Sequence, residues 1–291
     1  MSHSLLTALL QGLLLGLVAY GVMLPFRVLR FSDLTAEGSY PLGGAVAAVV
    51  LIGGGSWVLA LCLAMAASAM VGGATSLIAL RLRVNPLLAG IVVATILYSV
   101  NLRLMGQPNL SLWGLGARWL TGDLWMAIGG VFLVGCLMAA LWFGFLRSEH
   151  GLRFRTAGMH PVFARRQAIP IDRYCIFGLM VANGWSGLAG ALAVQWQGYM
   201  DMGMGVGIVL HALAAVMLGD AILGSSRPWR VWIAPLIGAI VYQYIQLSVL
   251  TMGLLPSDLK GLTGLLVIAI LALRRKQDRA SWLGQGGWHG S

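Results

Sequence analysis

Ionisable side chains are scarce in this chain, with 9 Asp+Glu, 19 Lys+Arg and 5 His among 291 residues, so each can be weighed for the chemistry it could do. The histidines are His3, His150, His160, His211 and His289. They form no His-Glu-x2-His pair and no pair at helical ligand spacing, and no Ser-His-Asp set sits in a recognisable context. Metal-assisted and nucleophilic hydrolysis are therefore poorly supported. The two lysines, Lys260 and Lys276, follow no Gly-x4-Gly-Lys-Ser/Thr loop, so the chain does not bind ATP by that route. Cys62, Cys136 and Cys175 lie within or at the edge of apolar stretches without metal-ligand spacing and read as packing residues. No catalytic residue, metal or cofactor is expected.

Two places could still carry polar chemistry. The run Ser32 to Ser39 sets Asp33, Thr35, Glu37 and Ser39 at a break between two apolar segments. These groups either cap the following helix or build a polar site at unpaired helix ends, as transporters do. In a later apolar segment, His211 reads as a satisfied bundle histidine or a proton relay, and Asp220 as an inner-surface cap or a functional group. Tyr40, Asn101, Asn183, Gln195 and Gln243 either line a passage or hold helices together. So little charge inside apolar segments argues against a proton- or sodium-driven carrier, and the energy should come from outside the chain.

The elements that position these residues follow from composition. Hydrophobic residues make up 59% and charged residues 10%, against roughly 25% charged in soluble domains, which excludes a soluble globular protein. Nine stretches meet the length a membrane helix needs. They run over about 5–25, 40–54, 57–80, 86–104, 125–146, 174–194, 206–223, 231–250 and 259–273. Basic residues divide 16 to 3 between alternate connections, which places the N-terminus outside and the C-terminus in the cytoplasm. The net charge of +10 is thus a topology signal, and no nucleic-acid partner is implied. The expected fold is all-α, a polytopic membrane bundle forming one domain over 1–291. Of its 40 glycines, Gly12-x3-Gly16 and Gly184-x2-Gly187-x2-Gly190 should let helices approach closely. Two connections are long. The outer one, 105–124, suits an interfacial helix, and the inner one, 147–173, holds a short helix-capable run flanked by Gly158 and Pro161.

The inner connection and the segments C-terminal to it resemble a known family, the permease subunits of bacterial ATP-binding-cassette importers of the branched-chain amino acid, ribose and nucleoside class. The match runs through Thr156-Ala157-Gly158-Met159-His160-Pro161-x2-Ala164-Arg165 and Ile169-Pro170-Ile171-Asp172-Arg173. It continues in Leu179-x3-Asn183-Gly184-x2-Gly187-Leu188-Ala189-Gly190-Ala191-Leu192, Gln195-x-Gln197-Gly198-Tyr199, Asp201-Met202-Gly203-Met204-Gly205 and Gly219-Asp220. Asp33-Leu34-Thr35-x2-Gly38-Ser39 and Pro256-x-Asp258-Leu259-Lys260-x2-Thr263-Gly264 extend it to both ends. Within that class the chain is similar to a branch whose candidate substrates include amino acids. Relatives usually carry Asn-Pro where this chain has His160-Pro161, and a Glu is common at the place of Asp220.

The resemblance implies a non-catalytic permease subunit of the bacterial inner membrane that moves a small solute by alternating access. Its implied partners are a cytoplasmic ATPase, a periplasmic solute-binding protein, a second permease copy and membrane lipid. Gly158, His160, Pro161, Ala164, Arg165 and Arg166 would form the coupling segment to the ATPase. Arg118, Asp123 and Asp201 would meet the binding protein. Asp33, Thr35, Glu37, Ser39, Asn101, Asn183, Gln195 and Asp220 would stand on the pathway or at core-helix breaks. An inverted repeat is expected, with Asn85 to Gly90 set beside Pro256 to Gly261. The alternatives are an ion-coupled secondary carrier, which an ATPase gene beside this one would argue against, and a lipid-modifying membrane enzyme, which would need a clustered acid-base or metal set.

Overall fold

In lipid, backbone polar groups have no water to turn to, so apolar runs of this length fold as helices that satisfy their own hydrogen bonds. A computed structural model describes residues 2–114, 120, 123–224 and 228–252, with 261, 264, 265 and 268 beyond them. The elements are α1 (Ser2–Met23), α2 (Ala36–Ile52), α3 (Trp57–Leu82), α4 (Pro86–Met105), β1 (Asn109–Ser111), α5 (Leu124–Arg147), α6 (Glu149–Met159), α7 (Pro161–Arg166), α8 (Ile171–Gln197), β2 (Tyr199–Asp201), α9 (Ile208–Leu223) and α10 (Pro228–Thr251). Among the described residues, seven helical stretches are long and apolar enough to cross a membrane, and α2 is a shorter apolar helix. The chain is therefore an all-α polytopic membrane protein. The expected stretch 259–273 and the 256–261 half of the expected repeat lie almost wholly outside the described residues.

Helix ends follow local chemistry. Ser56 accepts from the Leu59 N–H at 3.3 Å, Asn85 from Leu87 at 2.9 Å ahead of Pro86, and Ser148 from Gly151 at 3.2 Å, each satisfying an orphan donor at the start of α3, α4 and α6. Pro25 cannot donate a backbone hydrogen bond, and α1 widens there into a π turn over Leu24–Leu29. Its end is closed by Arg30 in the left-handed region (φ 54°), and the Pro25 carbonyl accepts from Arg30 and from Phe31 at 2.9 Å. Inside α2, Pro41 leaves the Glu37 carbonyl without its helical donor. That carbonyl packs where Gly205 has no Cβ.

The core is built on α1, α2 and α8. α2 lies against α3, α4 and α8, α3 packs along α8, and α10 bridges α1 and α9, with α5 outside α1. Glycine makes the central contacts close: a Cβ on Gly43 of α2 would overlap the Gly187 backbone of α8, and one on Gly190 the Tyr40 carbonyl. The expected close approach at Gly12 and Gly16 is made with α10, against Ile240 and Leu236. Cys175 is buried as a packing residue, whereas Cys62 and Cys136 lie on exposed faces of α3 and α5. The outer connection differs from an interfacial helix at its start. Asn109–Ser111 form a strand paired antiparallel with Tyr199–Asp201, placing Asn109 opposite Asp201, and the remainder of that expectation falls on undescribed residues.

Gly43→Ala forces two backbones apart and should cost about 2 kcal/mol or more. It should lower the thermal unfolding midpoint in detergent. Gly129→Ala on α5, where nothing lies within 4 Å, should stay within about 0.5 kcal/mol of the parent.

Candidate functional site

Among the described residues, three groupings stand out in the apolar bundle. The first sits where the α1–α2 connection dips inward. Asp33 is 2% exposed, and its Oδ1 accepts the Thr35 N–H at 2.8 Å, a local turn that sets the start of α2. Its Oδ2 accepts from Asn183 Nδ2 of α8 at 2.8 Å. Ser39 Oγ donates to Asn183 Oδ1 at 2.6 Å, so one amide ties the connection to the first turn of α2. Thr35 Oγ1 donates to Thr75 Oγ1 at 3.0 Å and Ser68 Oγ to the Ser39 carbonyl at 3.1 Å, which brings α3 into the set. Thr35 thus stands at the N-cap of α2 without a side-chain cap bond, while Ser39 serves the network. Ser68 and Thr75 were not singled out from the sequence. Their spacing of seven, which puts both on one helix face inside an apolar run, was the available signal.

The second grouping joins distant segments. Arg27, in the π turn, meets Asp220 of α9 through Nη1–Oδ1 at 3.0 Å and Nη2–Oδ2 at 2.9 Å, a two-bond fork with the carboxylate side chain 5% exposed. Asp220 is thus paired with a residue of the first helical stretch. Arg27, counted in the sequence only as a topology signal, is a structural partner 193 residues away.

The third is formed by α6 and α7. Gly158 belongs to the last turn of α6, not to the short helix, and is buried where a Cβ would overlap the Val28 carbonyl of the π turn. Phe154 (0% exposed) stands edge-on to Trp142 of α5 at 5.6 Å and to Tyr174 of α8 at 6.4 Å, fastening α6 to the bundle. His160 is the exposed joint between the helices, and Pro161 opens α7. Ala164 is buried, while Arg165 and Arg166 are exposed. Beside them Met159, Val162 and Phe163 present bare apolar side chains, 50–69% exposed, which carry no distinguishing signal in the sequence.

The other expected residues are spread. Asn101 (0% exposed) has its Nδ2 3.5 Å from the Gly38 carbonyl and its Oδ1 without a partner. Gln195 is fully buried with neither amide atom paired. Glu37 is half-buried in the first turn of α2. Tyr40, His211 and Gln243 share the wall of a separate cavity with Gln11 and Gln197, and the His211 ring lies 5.7 Å from that of Tyr242. Asp201 is exposed and accepts from the Gly203 N–H at 2.6 Å; Asp123 is exposed at the N-terminus of α5; Arg118 lies outside the described residues. Among the described residues no cluster of His, Cys, Asp and Glu could hold a metal.

Asn183→Leu keeps the branched shape but strands the buried Asp33 Oδ2, leaving Ser39 Oγ only the Thr35 carbonyl at 3.2 Å, and should destabilise by about 3 kcal/mol. In a double-mutant cycle, Arg27→Ala and Asp220→Ala should show a coupling of about 2 kcal/mol or more, read from unfolding midpoints in detergent.

Known proteins resemble this chain over most of its length. Residues 4–271 match the model of a family described as branched-chain amino acid transport system / permease component. The tyrosine transport system permease protein of Clostridioides difficile (strain R20291) is 30% identical over 271 residues, covering 92% of this chain and 90% of its own. An uncharacterized protein of Rickettsia prowazekii (strain Madrid E) is 30% identical over 94% of this chain and 99% of its own. The ribose import permease protein RbsC of Escherichia coli (strain K12) is 25% identical over 73% and 67%. No solved structure matches. A helical bundle with buried polar joints, matched over nearly its whole length, makes this chain a member of the branched-chain amino acid transport permease family and a multi-pass membrane permease.

Proposed function

We propose that this chain is the membrane subunit of an ATP-driven importer that carries a small solute, an amino acid or related metabolite, across the bacterial inner membrane by alternating access. The observation that carries the reading is the α6–α7 unit. Its inner side is seated on the bundle through Phe154, Gly158 and Ala164. Its outer side offers Met159, Val162 and Phe163 beside Arg165 and Arg166. An apolar knob with a basic rim is what a cleft with acidic edges would hold, and a seated base passes a rigid displacement inward. The names of two relatives, one a tyrosine permease and one a ribose permease, support a small polar metabolite as cargo.

In this scheme a separate ATPase hydrolyses ATP and docks on α7, with His160 at the joint that leads into it. The pathway forms between two copies of the chain. A binding protein delivers solute to the outer face, where Arg118, Asp123 and Asp201 are its contacts, and the β1–β2 pair joins the two outer connections. The 16-to-3 division of the basic residues supports a nine-span topology with the N-terminus outside and the C-terminus in the cytoplasm.

The test is co-purification with the ATPase encoded beside this chain, followed by ATP turnover in lipid with and without the binding protein. The wild type should retain the ATPase. Val162→Asp with Phe163→Asp should lower retention or stimulation by about tenfold or more while the unfolding midpoint holds, because both side chains are exposed. An ATPase that never associates, with uptake following an imposed ion gradient, would overturn the reading.

A further inference from the structure

The C-terminal end of α5 carries arginine charge that the fold does not balance. This helix turns Met138, Trp142 and Leu146 to the bundle and leaves Leu133, Leu137 and Phe143 exposed, as a helix edged by lipid does. Arg147, its last residue, stands one turn beyond Phe143. Its guanidinium carbon lies 4.2 Å from the centre of that ring, a cation–π contact that holds the charge at the rim of the apolar face. Arg155 reaches back from α6 to the same end. Its Nη2 donates to the Leu146 carbonyl at 3.1 Å, which occupies one of five N–H donors and sets a second guanidinium against the residue before Arg147. Glu149, the nearest carboxylate in sequence, faces Arg153 at 4.0 Å. Among the described residues neither Arg147 nor Arg155 forms an ion pair. Leu152, three residues before Arg155 on α6, adds an exposed apolar side chain. Topology alone asks for arginines at the end of a span, but not for their placement against an exposed ring and a backbone carbonyl.

We propose that Arg147 and Arg155 hold the phosphate of an anionic phospholipid whose acyl chains lie along the Phe143 side of α5. Guanidinium forks match phosphate oxygens, and a glycerol headgroup brings net negative charge with no cation of its own. A choline or ethanolamine headgroup would neutralise its phosphate internally. An acidic protein partner would satisfy the arginines but leave Phe143 and Leu137 uncovered, whereas one lipid molecule meets both. Because Arg155 belongs to α6, the same contact fastens the base of the α6–α7 unit. That consequence rests on the importer reading; the lipid site itself does not.

The test uses the full-length chain purified with its ATPase and delipidated in detergent. It is titrated with phosphatidylglycerol, with phosphatidylcholine of the same chains and with inorganic phosphate, and bound lipid is counted by mass spectrometry of the intact complex. Phosphatidylglycerol should bind about tenfold more tightly than phosphatidylcholine, and inorganic phosphate at about 10 mM should not displace it. Arg147→Gln with Arg155→Gln should erase the preference. Arg153→Gln, the same charge change on the same helix as Arg155→Gln, should preserve it to within about twofold. Arg147→Gln alone, at an exposed side chain, keeps the test open should loss of the Arg155 bond loosen α6, and it should lower the preference about threefold. Equal binding of the two lipids, a preference unchanged in Arg147→Gln or lost equally in Arg153→Gln, or displacement by phosphate would overturn the inference. Loss of the ATPase in the double variant with the lipid preference intact would also overturn it, giving the arginines to the ATPase. If the preference is absent while the ATPase is retained, the importer reading stands and the lipid site alone falls. If the preference is present in a chain that retains no ATPase, the lipid site stands without that reading.

Discussion

The amide of Asn183 lies twelve residues into α8 and bonds through both its atoms, to Asp33 on one side and Ser39 on the other. In an apolar bundle neither the carboxylate nor the amide has water as a second choice, so these bonds must be made within the fold. Making them fixes three things together: how deep the α1–α2 connection reaches, where α2 begins, and how α8 is turned. Short side chains such as Asp, Ser and Asn span such a gap only if the helices close to less than the usual 8–10 Å. The glycines at 43, 187 and 190 allow that approach by giving up the Cβ atoms that would overlap backbone across the contact. Close packing and the polar joint are thus one arrangement.

Composition made the helices legible and little beyond them. Apolar runs broken by Pro25, Gly53 to Gly55, Asn85-Pro86 and Pro170 mark element limits directly, because each break has a backbone cause. Rotation about each helix axis left almost no trace. Lipid-facing and core-facing positions are equally apolar, so the pattern that orients a helix in a soluble protein is missing here. Asp33, Ser39 and Asn183 could be singled out as polar residues in apolar surroundings, but their mutual contact spans about 150 residues and has no local signature. Arg27 was hidden for another reason. An arginine at the inner end of a span has a sufficient explanation in topology, and that explanation says nothing about Asp220. The β1–β2 pair joins two short segments whose register depends on how α4 and α8 emerge, so it follows from the bundle and not from its own residues.

One six-residue turn gathers the remaining constraints. Leu24–Leu29 carries Arg27 to α9, offers the Val28 carbonyl as the seat of Gly158, and leads through the left-handed Arg30 to Asp33. In the proposed importer a push on α7 reaches this turn through α6, and no Cβ-sized space at Gly158 absorbs it. The two-bond pair with Asp220 resists separation more than apolar contact does, so the turn, α6 and the inner end of α9 should move as one body. The yielding places are then those with room or freedom. They are a cavity between α2 and α4 and the connection before α9, where Gly198 and Gly207 both hold positive φ. Gly205 in that connection lies against the Glu37 carbonyl, and Glu37 lines the cavity. A movement that begins at α7 would therefore be taken up where the first turn of α2 meets the connection before α9.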